Sequence, residues 1–448
     1  MKRRQYLQWM GSAAALGCLN TSVVKPALCS PFQAPKIAPL SRVGTADSCI
    51  FLWLGGGACQ IDTFDPKRLS TGRKDPGSAY AAIDTAIPGV QLCQHLSRTA
   101  KLLDRCAVVR SLHHNVVDEH AAATNRVHTG RPPADSTVYP SIGSIVSHQL
   151  GANGDGVPAY VVAGYPSASR GPGFLGAQYS YVYLTDTELG PSGLRKPTGL
   201  SDARNNRRAD LAARLRGDFA RRNPEDERIR DYVAAAEAGV KLTSPKFMSV
   251  FDLKSESDTL RGAYGGEFGQ RCLLARRLVE SGVRFVEVSF NLNFINGTGW
   301  MTHNEGQLQQ HVLIDQLDQA IAALLLDLEN RNRLDRTLVV VATEFGRPPE
   351  FGRPPEFDGP PEFDGGGGRG HQSTAFSGLL AGGGLALGQA IGTTDELGRK
   401  IASRPVSIPD FHATIHRALG IDPSEELYDG DRPVPITDRG QPIAELFT

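Results

Sequence analysis

The sequence has 448 residues, enough to bury a large core in one large α/β domain or in two or three smaller ones. It contains 48 Lys plus Arg and 48 Asp plus Glu, so its formal net charge is zero. This balance offers no basic field for nucleic acid or for an anionic membrane surface, and it favours a small-molecule or polymer substrate. The hydrophobic content of 40%, with 49 Gly and 29 Pro, predicts a globular protein rich in turns.

The N-terminus has the pattern of an export signal. Lys2, Arg3 and Arg4 precede a mostly apolar run that is too short to span a bilayer. The Arg pair is typical of twin-arginine signals, so we predict a signal peptide at residues 1–30, no transmembrane span and a periplasmic or extracellular destination. Two alternatives also lead to export. One is a general-secretion signal in which the Arg pair occurs by chance, and the other is a lipoprotein anchor at Cys18.

The seven cysteines predict no metal site, because they include no Cys-x-x-Cys pair and lack zinc-knuckle spacing. Cys49 and Cys106 lie in apolar runs and are interpreted as small core residues. One disulfide remains possible in a protein exported from the cytoplasm, although the sequence does not select the two cysteines.

Apolar runs predict strands that alternate with helices. The first strand, at 49–54, ends at three glycines, and such a turn leads to the sheet edge where open α/β folds keep their sites. Helices are predicted at 266–281 and 307–331. Further strands are predicted at 107–109, 159–162, 283–290, 337–342 and 377–380. This alternation predicts an α/β fold with a largely parallel sheet covered on both faces, a three-layer α/β/α sandwich.

Two stretches differ from this pattern. Residues from about 195 to 263 are charged and helical, and they predict a helical insertion with a solvated surface. The second stretch, at 344–365, belongs to four copies of a six-residue unit that begin at residue 344 and read EFGRPP, EFGRPP, EFDGPP and EFDGGG. Paired prolines block helix and central strand, so we predict an exposed, lengthened loop. A Pro-rich ligand motif is the alternative.

Four ordered motifs carry a resemblance to a known family. They lie at 54–67, at 109–131 with His120 inside, at 299–304 and at 343–348. Together they resemble the bacterial family called domain of unknown function 1501, which is common in planctomycetes and whose members often have twin-arginine signals. The resemblance covers nearly the whole chain after the signal, residues 45–448.

This family in turn resembles the alkaline phosphatase and sulfatase superfamily, most clearly at 317–344. The resemblance implies an alkaline-phosphatase-like sheet whose strand ends gather acidic and His ligands around a divalent metal ion. Zinc, manganese, magnesium and calcium all remain candidates. Such an ion polarises a phosphoryl or sulfuryl oxygen, so the expected substrate is a small-molecule or polysaccharide ester.

The predicted metal ligands are Asp62, Asp65, His303, Glu344 and His371. Asp62 and Asp65 follow the glycine turn, and two carboxylates three residues apart can share one cation. Their alternative interpretation is as turn and helix-cap residues. The resemblance implies that Glu344 and His371 occupy superfamily ligand positions.

His120 is the candidate catalytic residue. It lies nine residues before Thr129, the spacing at which sulfatases place their nucleophile. A His can accept a phosphoryl group or act as an acid or base near neutral pH. A surface His without a role in the reaction is the alternative.

Two expected carboxylates are absent. Met301 stands where the family motif has Asp, and Gly370 stands where the family usually has Asp before the last His. Fewer anionic ligands weaken metal binding, so we predict an ester hydrolase with impaired activity. The alternative is a non-catalytic binding protein on a degenerate hydrolase scaffold. A third, weaker hypothesis is a redox or copper-binding protein.

Overall fold

The computed structural model describes residues 44–71, 75–134, 136–191, 194, 199–290, 299–302, 306–351 and 368–448. All of these residues lie in the unit Leu40–Thr448. The predicted signal at 1–30 lies outside the described residues. Within those ranges, no helix combines the length and the apolar character needed to cross a bilayer.

Strands occupy fifteen segments of the described chain. They are β1 Ser48–Trp53, β2 Ala82–Asp84, β3 Gln91–Cys93, β4 Cys106–His113, β5 Tyr160–Ala163, β6 Val182–Leu184, β7 Phe285–Ser289, β8 Thr337–Ala342, β9 Phe376–Gly382, β10 Gln389–Ile391, β11 Thr393–Thr394, β12 Ile401–Ser403, β13 Val406–Ser407, β14 Glu426–Asp429 and β15 Arg432–Pro435.

Ten α-helices accompany them in the same ranges. They are α1 Ser97–Lys101, α2 His120–Thr129, α3 Ile142–Leu150, α4 Asp202–Arg222, α5 Glu227–Lys241, α6 Pro245–Met248, α7 Asp258–Tyr264, α8 Glu267–Ser281, α9 Gly306–Asn330 and α10 Ile408–Ala418. The segment predicted as a helical insertion contains α4, α5, α6 and most of α7.

Nine strands form the central sheet, in the order β10-β4-β9-β8-β1-β7-β5-β6, with β13 beside β4. Every pair in this sheet is parallel except those of β9, which runs antiparallel to both β4 and β8. In the middle of the sheet, Ile50 of β1 faces Val286 on one side and Val339 on the other.

The strand β1 shows why these residues form a central strand. Its sequence, SCIFLW, is apolar after the first residue and all six positions are buried, as expected for a strand covered on both faces. Successive side chains point to opposite faces, so Ile50 and Leu52 enter one core while Phe51 enters the other.

Helices complete both outer layers. Residues of α8 and α9, including Leu273 and Leu317, belong to the first core, whereas Ile145 of α3 and Phe411 of α10 belong to the second. The predicted α/β/α sandwich with a largely parallel sheet is therefore confirmed. The parallel neighbours β1 and β8 end at the same sheet edge, where the candidate site lies.

Candidate metal and catalytic site

Glu344 follows β8 by two residues and is fully buried. Its Oε1 accepts a hydrogen bond of 2.7 Å from the backbone N–H of Gly56, in the turn after β1. Gly56 has a φ of +116°, and a Cβ there would lie 2.5 Å from the backbone nitrogen of Met301. Only glycine fits this position, so the close approach of backbone to Glu344 depends on it.

The helix α2 brings His120 to Glu344. Its N-cap is Glu119, whose side chain accepts from the backbone N–H groups of Ala121 and Ala122. This cap fixes the first turn of the helix, where His120 is the first residue. The Nδ1 of His120 lies 2.8 Å from Oε1 of Glu344.

His371 approaches from the segment before β9. Its Nδ1 contacts Oδ1 of Asp118, and its Nε2 lies 3.0 Å from Nε2 of His120. Asp118 has a φ of +56°, in the left-handed region that non-glycine residues seldom adopt. Such conformations persist where the surrounding contacts hold them. We call Asp118, His120, Glu344 and His371 the carboxylate–histidine cluster.

The hydrogen bonds of this cluster assign the imidazole tautomers. When both Nδ1 atoms donate to carboxylates, the Nε2 atom of each neutral ring carries a lone pair. The two Nε2 atoms are 3.0 Å apart, so their lone pairs repel unless a proton or a cation binds to them. A carboxylate on the second ring nitrogen is also the usual arrangement of a metal-binding His. The donor chemistry of His120 and His371 therefore fits a divalent cation.

One aromatic side chain packs against both histidines of the cluster. The ring of Phe345 lies 4.8 Å from the ring of His120 and 4.4 Å from that of His371, measured between centroids. Burial first, then the charges of Arg347 and His120, lower the pKa of His371 to about 3. The His371 ring is therefore neutral at pH 7 and keeps its lone pair.

Arg347 supplies a buried positive charge beside the cluster. Its Nε donates to the carbonyl oxygen of Gly57 at 3.0 Å, and Nη1 donates to those of Arg369 and Gly370 at 3.2 and 3.1 Å. Its Nη2 donates to Gly56. Burial lowers the pKa of Arg347 to about 10, which leaves it charged at neutral pH. The guanidinium thus ties the β1 turn to the segment that carries His371.

The prediction of an exposed loop at 344–365 is wrong for its first six residues. Glu344, Phe345 and Arg347 are buried because they form the cluster and its surroundings. Glu350, which begins the second copy, is exposed and pairs with Arg399. The later copies, from residue 352 onward, lie outside the described residues.

Asp62 and Asp65 are bound by cationic side chains. Both oxygens of Asp62 accept from Arg369, each at 2.9 Å, and the two side chains are fully buried. Asp65 pairs with Lys67 at 3.0 Å and accepts from the hydroxyl of Thr394 at 2.5 Å. These cations balance the charge that a metal ion would otherwise balance, so the contacts indicate a structural role.

His303 lies outside the described residues, although its neighbour Thr302 accepts a backbone hydrogen bond of 3.0 Å from Arg369. In the ranges that the structure describes, no three His, Cys, Asp or Glu side chains converge as a ready set of metal ligands. Of the predicted site residues, the structure brings His120 into contact with Glu344 and with His371, and these pairwise contacts do not by themselves form a set of three ligands for one ion.

Sequence reasoning missed Asp118 and Arg347. Asp118 stands two residues before His120, but its contact with His371 depends on a left-handed backbone conformation that the sequence pattern did not predict. Arg347 lies in the family motif at 343–348, but it is also part of the repeat and was therefore assigned to the predicted loop. Arg347 stands five residues after the end of the buried strand β8, and this position was the available signal.

The family's sequence profile matches residues 46–447. The chain belongs to the DUF1501 family, described as protein of unknown function. Solved structures that resemble this DUF1501 chain include a lipoteichoic acid synthase from Listeria monocytogenes, at 10% identity over 90% of this chain and 77% of that one, with a TM-score of 0.40.

Two further solved structures resemble this chain at similarly low sequence identity. A sulfatase from Pseudoalteromonas sp. is 12% identical over 85% of this chain and 68% of its own, with a TM-score of 0.36. An alkaline phosphatase from an Antarctic bacterium is 11% identical over 84% and 98%, also with a TM-score of 0.36. Values this low assign no activity to the DUF1501 chain. Among curated proteins, none matches its sequence.

Proposed function

We propose that this protein is an exported, metal-dependent hydrolase of phosphate or sulfate esters whose metal site is weakened. One observation supports this most strongly. Two imidazoles held by carboxylates present their Nε2 atoms to each other, 3.0 Å apart, at the carboxyl edge of a parallel sheet. Export is proposed from the N-terminal Arg pair and the apolar run after it.

His120 and His371 would hold the metal ion through Nε2, and we propose His303 as a further ligand. Glu344 and Asp118 would orient the two rings through Nδ1. Imidazole donors favour zinc over magnesium or calcium. A bound ion would polarise a phosphoryl or sulfuryl oxygen and lower the pKa of water.

The side chains of the cluster have definable roles in ester hydrolysis. Glu344 keeps the Nδ1 proton of His120 in place, so the lone pair on Nε2 of His120 would stay directed at the metal ion. Phe345 limits the access of water to both rings and thereby strengthens the electrostatic interactions between them. Arg347 adds a fixed positive charge that favours an anionic ester over a neutral one.

Weakness of the site follows from Met301 and Gly370. Neither can offer a carboxylate, and the Gly370 carbonyl is instead bound by Arg347. This arrangement favours the second candidate function, a protein that binds an ester without hydrolysing it. The double variant Met301→Asp with Gly370→Asp separates the two, since restored ligands raise turnover only if the remaining machinery is intact.

Calorimetric titration with zinc, manganese and calcium tests the metal site. We expect His371→Ala to weaken zinc binding by about ten- to a hundredfold. The matched control is His148→Ala, which removes a His of α3 that packs edge-on against Tyr179 instead. Equal zinc affinity of the wild type and His371→Ala would refute the metal site. Turnover of aryl phosphate and aryl sulfate is measured on the same samples, and brisk turnover by the wild type would refute the claimed weakness.

A further inference from the structure

The helix α4 is largely exposed to solvent. It spans 21 residues, begins at the N-cap Ser201 and contains no buried residue. The element that it contacts most is α5. Most helices in folded proteins depend on burying an apolar face, so a long helix without a buried residue leaves part of its apolar surface in solvent.

Three large apolar side chains on α4 form one exposed stripe. Leu211, Leu215 and Phe219 are 58%, 61% and 54% exposed. Their spacing of four residues places them on one face of the helix. Arg204 and Arg208 continue the same face toward the N-terminus, and Arg222 continues it toward the C-terminus. We call these six residues the α4 stripe.

The charge of α4 differs from that of the chain. The helix contains seven Arg and three Asp, a net charge of +4, whereas the whole chain is neutral. The chain-wide balance therefore hides a local excess, and the sequence-based exclusion of an anionic surface does not hold for this helix. A basic helix with an exposed Leu and Phe face is typical of segments that lie in a membrane interface.

We propose that the α4 stripe docks on an anionic lipid surface. Its leucines and phenylalanine enter the boundary between headgroups and acyl chains, and its arginines pair with lipid phosphates. Charge argues against a second copy of this chain as the occupant. Parallel or antiparallel pairing of two stripes would place the terminal Arg residues of one against those of the other, and like charges destabilise such contacts. The inference does not depend on the carboxylate–histidine cluster.

Vesicle co-sedimentation of the full chain tests this surface. The vesicles contain either phosphatidylglycerol and phosphatidylcholine in equal amounts or phosphatidylcholine alone. We expect binding to the anionic vesicles that is at least about tenfold tighter than to the neutral ones and that falls as sodium chloride is added. Equal binding to both vesicle types would overturn the proposal.

Two triple variants locate the contact on α4. Replacement of the three apolar residues by Ser is expected to weaken binding by about tenfold or more. Replacement of Arg204, Arg208 and Arg222 by Gln is expected to weaken it by about a hundredfold, at about fivefold per Arg. All six side chains are on an unburied helix, so circular dichroism and the melting temperature should match the wild type.

Matched controls remove the same chemistry elsewhere. Leu69→Ser, Val138→Ser and Tyr428→Ser together remove three other exposed apolar side chains. Lys101→Gln, Lys254→Gln and Arg432→Gln together remove the same charge as the Arg variant. We expect both controls to retain vesicle binding, and a loss equal to that of the α4 variants would overturn the proposal. Sedimentation velocity without lipid is the second readout, and a dimer that only the apolar α4 variant abolishes would identify a second copy as the occupant instead.

Discussion

The sheet edge and α4 use charged residues in opposite ways. At the edge, Glu344, Arg347, Arg369 and Asp62 are fully buried, and their charges are met by backbone groups or by one another. On α4 no residue is buried, and its seven arginines are on a helix in solvent. The comparison shows that burial, and not the number of charges, decides whether a charged side chain maintains the fold or remains available to a partner.

The largest difference between the two regions is expected when an ion pair is broken. Arg369→Met leaves the carboxylate of Asp62 buried without its cation, which should lower the free energy of unfolding by about 3 to 5 kcal/mol. Arg221→Met breaks the exposed pair with Asp218 on α4 and should cost about 0 to 1 kcal/mol. Urea unfolding measures both, and equal losses would contradict the comparison.

Acid is expected to destabilise the body of the protein through two buried histidines of α10. Burial lowers the pKa of His412 to about 4 and that of His416 to about 3. The unfolded chain, with His pKa values near 6.5, then binds more protons than the folded chain as pH falls from about 6.5 toward 4. Stability should therefore fall on acidification, by at most about 1.4 kcal/mol per pH unit for each His.

Urea unfolding at pH 7 and pH 5 measures this loss. His416→Leu should reduce the pH dependence because it removes one of the two titrating rings. The variant should still fold, since in the described structure neither ring nitrogen of His416 has a hydrogen-bond partner to lose. The helix α4 contains no His, so the loss should not arise there. A gain in stability at pH 5 would contradict the expected sign.

A smaller effect on stability is expected at the cluster itself. Glu344→Ala leaves the buried N–H of Gly56 without its acceptor, a cost of about 1 to 3 kcal/mol, and releases Nδ1 of His120. Zinc affinity should fall by about ten- to a hundredfold. The matched control is Glu350→Ala, the equivalent position of the second repeat copy, which is exposed and should change stability by about 0.5 kcal/mol or less. Equal effects of the two variants on zinc binding would show that the first copy does not form the site.

The fold was predictable because it depends on local patterns. Strands such as β1 and β8 are continuous apolar runs, and helices such as α8 and α9 carry one apolar face, so type and order followed from the residues. Glu344 was predictable as a site residue because it stands at the end of a buried strand.

Contacts between distant segments were not predictable. Asp62 was predicted as a metal ligand, but it pairs with Arg369, 307 residues away, and no local pattern distinguishes a carboxylate that binds Arg from one that binds metal. The contact of Asp118 with His371 likewise spans 253 residues and requires a positive φ. The site was therefore predictable as residue types at strand ends, but not as a set of partners.

The first repeat copy has a consequence for how the chain tolerates changes in length. Residues 344–349 and 350–355 have the same six-residue sequence, EFGRPP. Deletion of either copy therefore yields the same polypeptide, in which Glu344, Phe345 and Arg347 still follow β8. Whole units can therefore be added or removed downstream while the residues at the sheet edge stay constant. The repeat thus separates variation in chain length from the composition of the site.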